Sequence, residues 1–204
     1  MVKNDREYRN LGRFEIRAGE NETENVVGYA STFDTYELFE DPEFGKVYER
    51  IDPRAFENTD MSDVVFLRDH AGRVLARTKN DSIKLSTDEH GLLTDTFLGL
   101  TTASREMLED IRVGNYTQMS FAFTVESDHW EGNTRVVDSV RKLYDISAVA
   151  FPANPFTEIG LSARSLFHGE MEKRKAERLE AERRDRERKR LALRIKLMKG
   201  GKKS

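Results

Sequence analysis

The segment from Gln118 to Val125 constrains the fold most, because large apolar residues alternate with small ones along it. Successive side chains of a strand point to opposite faces, so this alternation predicts a β-strand with one strongly apolar face. That face comprises Met119, Phe121, Phe123 and Val125. A slip of one residue would turn these large side chains into water, so the pairing register is strongly specified.

Ser120 belongs to the opposite face of this strand, together with Ala122 and Thr124. A serine that is fixed on a rigid strand and open on one side is well placed to act as a nucleophile. The plainer interpretation is a small polar residue on the solvent-facing side of an ordinary strand. The segment by itself favours that plainer interpretation.

Short apolar segments divided by turn residues recur between residues 14 and 151, which predicts an antiparallel sheet or barrel. The predicted strands span 14–17, 26–33, 46–51, 64–67, 74–77, 82–85, 92–98, 118–125 and 143–151. Two helices are predicted among them. A brief one begins at Asp52-Pro53, and a longer one is capped by Thr101 or Thr102 and ends at Gly114. The fold class is therefore α+β.

The charge distribution divides the chain into an acidic part and a basic part. Residues 170–204 contain 15 Lys and Arg against 7 Asp and Glu, whereas residues 1–169 contain 19 against 30. Acidic residues precede basic ones by four positions at several points in 170–190, which predicts a long charged helix. A helix that simply lies in water is the plainer interpretation of it. We predict a flexible N-terminus (1–13), a globular domain (14–164) and a basic helical tail (165–204).

Composition excludes several kinds of chemistry. The chain has no cysteine, which excludes disulfides and thiol nucleophiles. It has no glycine-rich phosphate loop and no paired-histidine metal spacing, so we expect neither a cofactor nor a metal. The charged first residues lack the apolar core of a signal peptide, and no apolar run approaches the roughly 20 residues of a membrane span. We therefore expect a soluble intracellular protein.

Nucleophilic catalysis is the remaining chemistry that the residues support. A serine hydroxyl needs an adjacent imidazole to take its proton, and that imidazole needs an acceptor that fixes its tautomer. His70 follows the buried run 64–67 and could serve Ser120 as the base. Asp145 lies in the apolar run 143–151, where a carboxylate is costly unless it is paired.

Each of these candidates also has a plainer interpretation. His70 could be a surface-loop histidine. Asp145 could form a salt bridge with Arg141 or Lys142 at the edge of its strand. Spacing and periodicity leave these alternatives open.

Five short motifs occur in an order that resembles the prohead proteases of tailed bacteriophages, the HK97-type maturation proteases, which are distantly related to the herpesvirus assemblins. The motifs are Gly28-Tyr29-Ala30-Ser31-x-Phe33, Glu49-Arg50-Ile51-x-Pro53-x-Ala55-Phe56, Asp69-His70, Met119-Ser120-Phe121 and Asp145-Ile146-Ser147-x-Val149-x-Phe151-Pro152-Ala153. The resemblance covers about residues 14–164. It implies that His70 is the general base and Ser120 the nucleophile, and we assign the third position to Asp145, with His90 as the alternative.

Two positions depart from the family pattern. The family often has Asn before the His-Asp region, where this chain has Leu67-Arg68-Asp69-His70-Ala71, and it favours Gly where this chain has Ala122. The first departure concerns the contacts that fix the tautomer of His70. The second concerns the oxyanion hole.

The resemblance implies a compact β-barrel with surrounding helices, and a specific task. The expected activity is that of a serine endopeptidase that cleaves scaffold, or the scaffolding segment of the major capsid protein, within the procapsid in the host cytoplasm. Self-cleavage near residues 161–169 and a homodimer are compatible with this function, and no membrane or nucleic-acid partner is expected. The alternative is a catalytically inactive capsid-assembly or scaffold protein whose basic tail binds acidic partners or nucleic acid. Convergence of His70, Ser120 and Asp145 distinguishes the two.

Overall fold

The computed structural model describes residues 6–18, 24–150 and 158–200. Within these residues the chain forms ten strands, two α-helices and a 3₁₀ turn at Thr78–Asn80. The strands are β1 (Glu7–Ala18), β2 (Glu24–Thr32), β3 (Tyr36–Asp41), β4 (Gly45–Ile51), β5 (Val65–Arg68), β6 (Ala71–Arg77), β7 (Ile83–Thr87), β8 (Gly91–Phe97), β9 (Gln118–Glu131) and β10 (Thr134–Val149). The helices are α1 (Thr102–Arg112) and α2 (Glu158–Gly200). The chain divides into two compact units, Met1–Leu161 and Ser162–Ser204.

The strands of the first unit form one mixed sheet in the order β3-β4-β10-β9-β1-β2-β8-β7, and the β5–β6 hairpin joins it through β10. All pairings are antiparallel except those of β10 with β4 and β5. The predicted α+β class is confirmed. The predicted closed barrel is not found among the described strands, since their order runs openly from β3 to β7. Sequence patterns located most of the strands but carried no information on which edges pair.

Several elements differ from the sequence prediction. Strand β3 has no counterpart among the predicted strands, β9 continues to Glu131, and β10 begins at Thr134 rather than at residue 143. Strand β1 begins at Glu7, so residues 7–13 are not a loose N-terminus but pair with the central strand β9. The helix expected at Asp52-Pro53 is instead a run of turns, in which Ala55 N donates to Asp52 O at 2.8 Å. Helix α1 agrees with the prediction, because Thr101 caps it.

The apolar core surrounds β9, whose Met119, Phe121 and Phe123 are fully buried. The opposite face of β9 is buried as well, with Ser120 only 3% and Ala122 0% exposed. The expectation that Ser120 faces solvent is therefore wrong. Strand β9 lies between β1 and β10, which pair with its two edges, and both of its faces are buried along this segment.

A buried cluster of charges joins the N-terminal strand to the rest of the sheet. Glu49 on β4 is fully buried and accepts hydrogen bonds from Arg9 Nη2 at 2.8 Å and Arg135 Nη1 at 3.0 Å. Tyr36 Oη also donates to Glu49, and Glu7 pairs with both arginines at 2.6 Å. Burial by itself would raise the pKa of Glu49, but attraction and hydrogen bonding to Arg9 outweigh it and lower that pKa to about 2.

Replacing Glu49 with Gln is expected to lower the free energy of unfolding by about 3–5 kcal/mol, the usual loss when one partner of a buried ion pair is removed. The carboxylate stabilises the fold fully above its unfolded pKa of about 4.3, and this contribution is lost as pH falls toward about 2. Urea denaturation at several pH values measures both effects. Glu37→Gln, which removes an exposed partner of Lys46, is the matched control. Equal stability of the Glu49 and Glu37 variants at pH 7 would contradict the role of the cluster.

Helix α2 is a single element of 43 residues, about 65 Å long at 1.5 Å per residue. Three of its predicted pairs four residues apart are present, Glu170–Arg174, Glu180–Arg184 and Asp185–Lys189. The fourth predicted pair, Glu182–Arg186, is not among the ion pairs of the described residues, in which Glu182 lies beside Arg178. No helix in the described parts of the chain has the length and apolar character needed to cross a membrane.

The helix also begins earlier than expected, at Glu158. The segment 161–169, which the sequence suggested as an exposed boundary open to cleavage, is therefore helical.

Candidate active site

Ser120 is held at the centre of the sheet. In the ladders of β9 it lies opposite Asn10 of β1 and Ser147 of β10. Its Oγ lies 2.6 Å from Nε2 of His70, within hydrogen-bonding distance. The hydroxyl is thus fixed by backbone pairing on both sides and by a direct contact with an imidazole.

His70 is placed by the tight turn between β5 and β6. Arg68 pairs with Ala71, so Asp69 and His70 are the two central residues of a two-residue hairpin. Their φ angles are 48° and 57°, the left-handed backbone that type I′ hairpin turns require at both positions. Asp and His adopt this conformation more readily than most residues.

The turn is attached to the end of β10 through Asp69. The Asp69 N–H donates to Ala148 O at 3.0 Å, and Asp69 Oδ1 accepts from the backbone N–H of Ala150 at 3.2 Å. Tyr116 Oη donates to Asp69 Oδ2 at 3.2 Å. These three bonds determine where the turn presents His70 above the sheet.

Asp145 occupies the other side of the imidazole. Its Oδ1 lies 2.6 Å from His70 Nδ1, and the residue is 5% exposed. An ionised carboxylate only accepts hydrogen bonds, so His70 Nδ1 carries the proton. The lone pair of Nε2 is then directed to Ser120, whose O–H donates to it.

This arrangement joins a serine hydroxyl, an imidazole and a buried carboxylate in one hydrogen-bonded chain, the geometry of acyl transfer through a serine. The sequence matches the family model of the caudovirus prohead serine proteases over residues 12–172. The chain belongs to this family. It is therefore a serine protease, and the resemblance and the enzyme class expected from the motifs are both confirmed.

No curated protein matches the chain. Among solved structures, the bacteriophage T4 capsid assembly protease, gp21, aligns with 73% of this chain and 100% of its own, at 11% identity and a TM-score of 0.42.

The prohead protease chain brings together Ser120, His70 and Asp145, as the sequence analysis expected of an active relative. His90, the alternative third residue, lies on the turn between β7 and β8 with its side chain 67% exposed, beside Glu89. Asp145, and not His90, therefore lies next to His70 Nδ1.

The plainer interpretation of Asp145 as the partner of a neighbouring cation is wrong. Lys142 pairs with Asp60 at 2.7 Å, and Arg141 pairs with Glu126.

Sequence reasoning missed two neighbours of the His70–Asp145 pair. The ring of Tyr8 lies edge-on to His70, with 4.7 Å between ring centroids, and it comes from the segment that was expected to be loose. Ser147 hydrogen-bonds to Asp145 Oδ1 at 2.8 Å. The sequence could have placed Ser147 beside Asp145, because side chains two residues apart on a strand point to the same face.

A concave space of about 480 Å³ lies beside the turn that carries His70. It is bordered by the β5–β6 hairpin and α1, with Arg68, Arg73 and Glu106 supplying charge and Leu75 and Ala103 supplying apolar surface. This space is large enough to receive a side chain of a bound peptide.

Proposed function

We propose that this prohead serine protease is an endopeptidase of phage head maturation. In this proposal it cleaves scaffold protein, or the scaffolding segment of the major capsid protein, inside the procapsid of the infected cell. Ser120 is the nucleophile, His70 the general base, and Asp145 the carboxylate that orients His70. The observation that carries the proposal is the chain of two 2.6 Å contacts from Ser120 through His70 to Asp145, in a member of this family.

Acylation follows from the direction of the hydrogen bonds. His70 Nε2 takes the proton of Ser120 as Oγ attacks the carbonyl carbon of the scissile peptide bond. The imidazolium that forms is stabilised by the ionised Asp145. It then donates the proton to the leaving amine, the C–N bond breaks, and the acyl group remains as an ester on Ser120.

Deacylation repeats these steps with water. His70 takes a proton from the attacking water, the ester bond to Ser120 breaks, and the proton returns to Oγ. The products are a free amine and a carboxylic acid, and the enzyme is regenerated. His70 carries every proton transfer in this cycle, while Asp145 stays ionised and orients it.

We assign catalysis to the first compact unit, Met1–Leu161, because all three residues lie within it. This corresponds to the domain expected at 14–164, extended by the strand that starts at Glu7. The second unit, Ser162–Ser204, has no catalytic role in this assignment.

The proposed function predicts that a fluorophosphonate, which reacts with activated serines, forms one adduct on the purified protein. Peptide mass mapping should locate this adduct on Ser120, and heat-denatured protein should take none. Co-expression with the capsid and scaffold proteins of the same phage should yield shortened head proteins, as seen on gels. Adducts on a different serine of the folded protein, or head proteins that are shortened equally without the protease, would refute the assignment.

Self-processing is the finer part of the proposal, and the mass of the protease in the same samples tests it. Proteases bind substrate segments in extended form. Since 161–169 lies within α2, removal of the tail at that point requires the helix to unwind locally. Loss of a C-terminal fragment from wild-type protein but not from Ser120→Ala supports self-cleavage. Equal loss from both, or none within assembled heads, refutes it.

A further inference from the structure

Ser147 is fully buried and lies directly across the β9–β10 ladder from Ser120. Its hydroxyl is 2.8 Å from Asp145 Oδ1, the same oxygen that contacts His70 Nδ1 at 2.6 Å. The backbone N–H of His70 also donates to Ser147 Oγ, at 3.2 Å. One hydroxyl therefore touches both the carboxylate and the backbone of the histidine.

We propose that Ser147 is a positioning residue of the active site. It fixes the Asp145 carboxylate against His70 Nδ1 and holds the left-handed turn that presents His70 to Ser120. This inference rests on the proposed function of those three residues. Ser147 takes no part in bond making, and its effect on the rate is transmitted through Asp145 and His70.

The hydrogen-bond directions at Ser147 are fully determined. A serine hydroxyl offers one donor and two acceptor lone pairs. The ionised Asp145 can only accept, so the hydroxyl donates to it, and the His70 N–H can only donate, so Ser147 Oγ accepts from it. The hydroxyl therefore has one orientation in which both contacts are made.

These contacts restrain two motions that would separate the base from the nucleophile. The hydrogen bond to Oδ1 opposes rotation of the carboxylate about its terminal bond, which is otherwise a broad torsion. The bond from the His70 N–H opposes relaxation of a turn whose φ of 57° is uncommon for a residue other than glycine. Hydrogen bonds to charged groups are stronger than neutral ones, so the first contact is the more important.

A matched pair of substitutions isolates the hydroxyl. Ser147→Thr and Ser147→Val add the same volume at this buried position, but only threonine keeps a hydroxyl. Any strain from the added methyl group affects both variants equally. Ser147→Ala removes the oxygen with no added volume, and Ser139→Ala, elsewhere on the same strand, is the control.

The experiment measures the rate at which a fluorophosphonate forms its adduct on Ser120 in the full-length protein. We expect Ser147→Ala and Ser147→Val to react about 10- to 100-fold more slowly, the range for removing one partner of a buried charged group. Ser147→Thr should stay within about fivefold of wild type if its hydroxyl restores both hydrogen bonds. Equal rates for the Thr and Val variants, or a wild-type rate for Ser147→Ala, would overturn the inference.

Combination with Asp145→Ala shows whether Ser147 acts through the carboxylate. With no carboxylate to orient, Ser147→Ala should slow the reaction by less than about threefold, because residues that act as a unit are not additive. The same factor in both backgrounds would mean a general structural role and overturn the inference. A wild-type protein that forms no adduct on Ser120 would instead refute the proposed function, and the inference with it.

Discussion

Ser120→Ala is expected to lower the rate of peptide cleavage by about 10⁶-fold, the loss typical for removing the nucleophile of a serine–histidine–carboxylate site. In the proposed mechanism, the substitution removes the atom that forms the acyl-enzyme and the group from which His70 takes its proton. Cleavage of the head proteins in co-expressing cells measures the effect. Ser127→Ala, on an exposed part of the same strand, should cleave at the wild-type rate.

The Ser120→Ala protein should remain folded, which its melting temperature will show. Ser120 is 3% exposed, so alanine occupies the same buried space with one oxygen fewer. This reason differs from the one that the sequence suggested, namely that the residue faces solvent. Continued cleavage by folded Ser120→Ala, with no other protease present, would exclude Ser120 as the nucleophile.

The alternation in β9 shows what a sequence pattern can and cannot establish. Alternating large side chains identified the strand and placed Ser120 on the face opposite the large apolar residues. Burial of the second face depends on parts of the chain that are distant in sequence, among them the turn that carries His70, whose imidazole contacts Ser120 Oγ. Small residues such as Ala122 fit such a covered face as well as an open one, so the pattern could not distinguish them.

The N-terminal strand was underestimated for a related reason. Glu7 and Arg9 made the segment appear too polar for a buried strand, yet Arg9 is 4% exposed. Its burial is compensated by Glu49, forty residues away, together with Glu7. Sequence reasoning that treats each segment separately cannot detect compensation of this kind. The consequence for the site was that Tyr8, a neighbour of His70, was missed.

The catalytic candidates were easier to identify because each stands in an unusual local sequence context. Asp145 is a charge within an apolar run, and such a residue requires a partner. His70 directly follows a buried strand. Their mutual distances, however, follow from the parallel pairing of β5 with β10, which sets Asp145 opposite Val65. No local sequence pattern predicts that pairing.

Asp145→Asn is expected to lower the turnover rate by about 10⁴-fold, as when the carboxylate of such a triad is replaced by its amide. The amide keeps the size of the side chain but carries no charge to stabilise the imidazolium. It can also donate to Nδ1, which would place the proton on Nε2 and leave His70 unable to accept from Ser120. Initial rates of head-protein cleavage, with circular dichroism as the check on folding, measure the loss.

The chain contains a closely matched control for this substitution. Asp138 lies on the same strand and contacts His129 Nδ1 at 2.8 Å, but this second carboxylate–histidine pair is exposed and His129 contacts Glu131 rather than a serine. The Asp138→Asn protein should therefore cleave head proteins at a rate within about twofold of wild type, as expected for a surface change remote from the site. His90→Ala should behave in the same way. If Asp145→Asn retained more than a tenth of the wild-type rate while His90→Ala lost most of it, the third member of the triad would be His90. If both retained full activity, catalysis would rest on Ser120 and His70 alone.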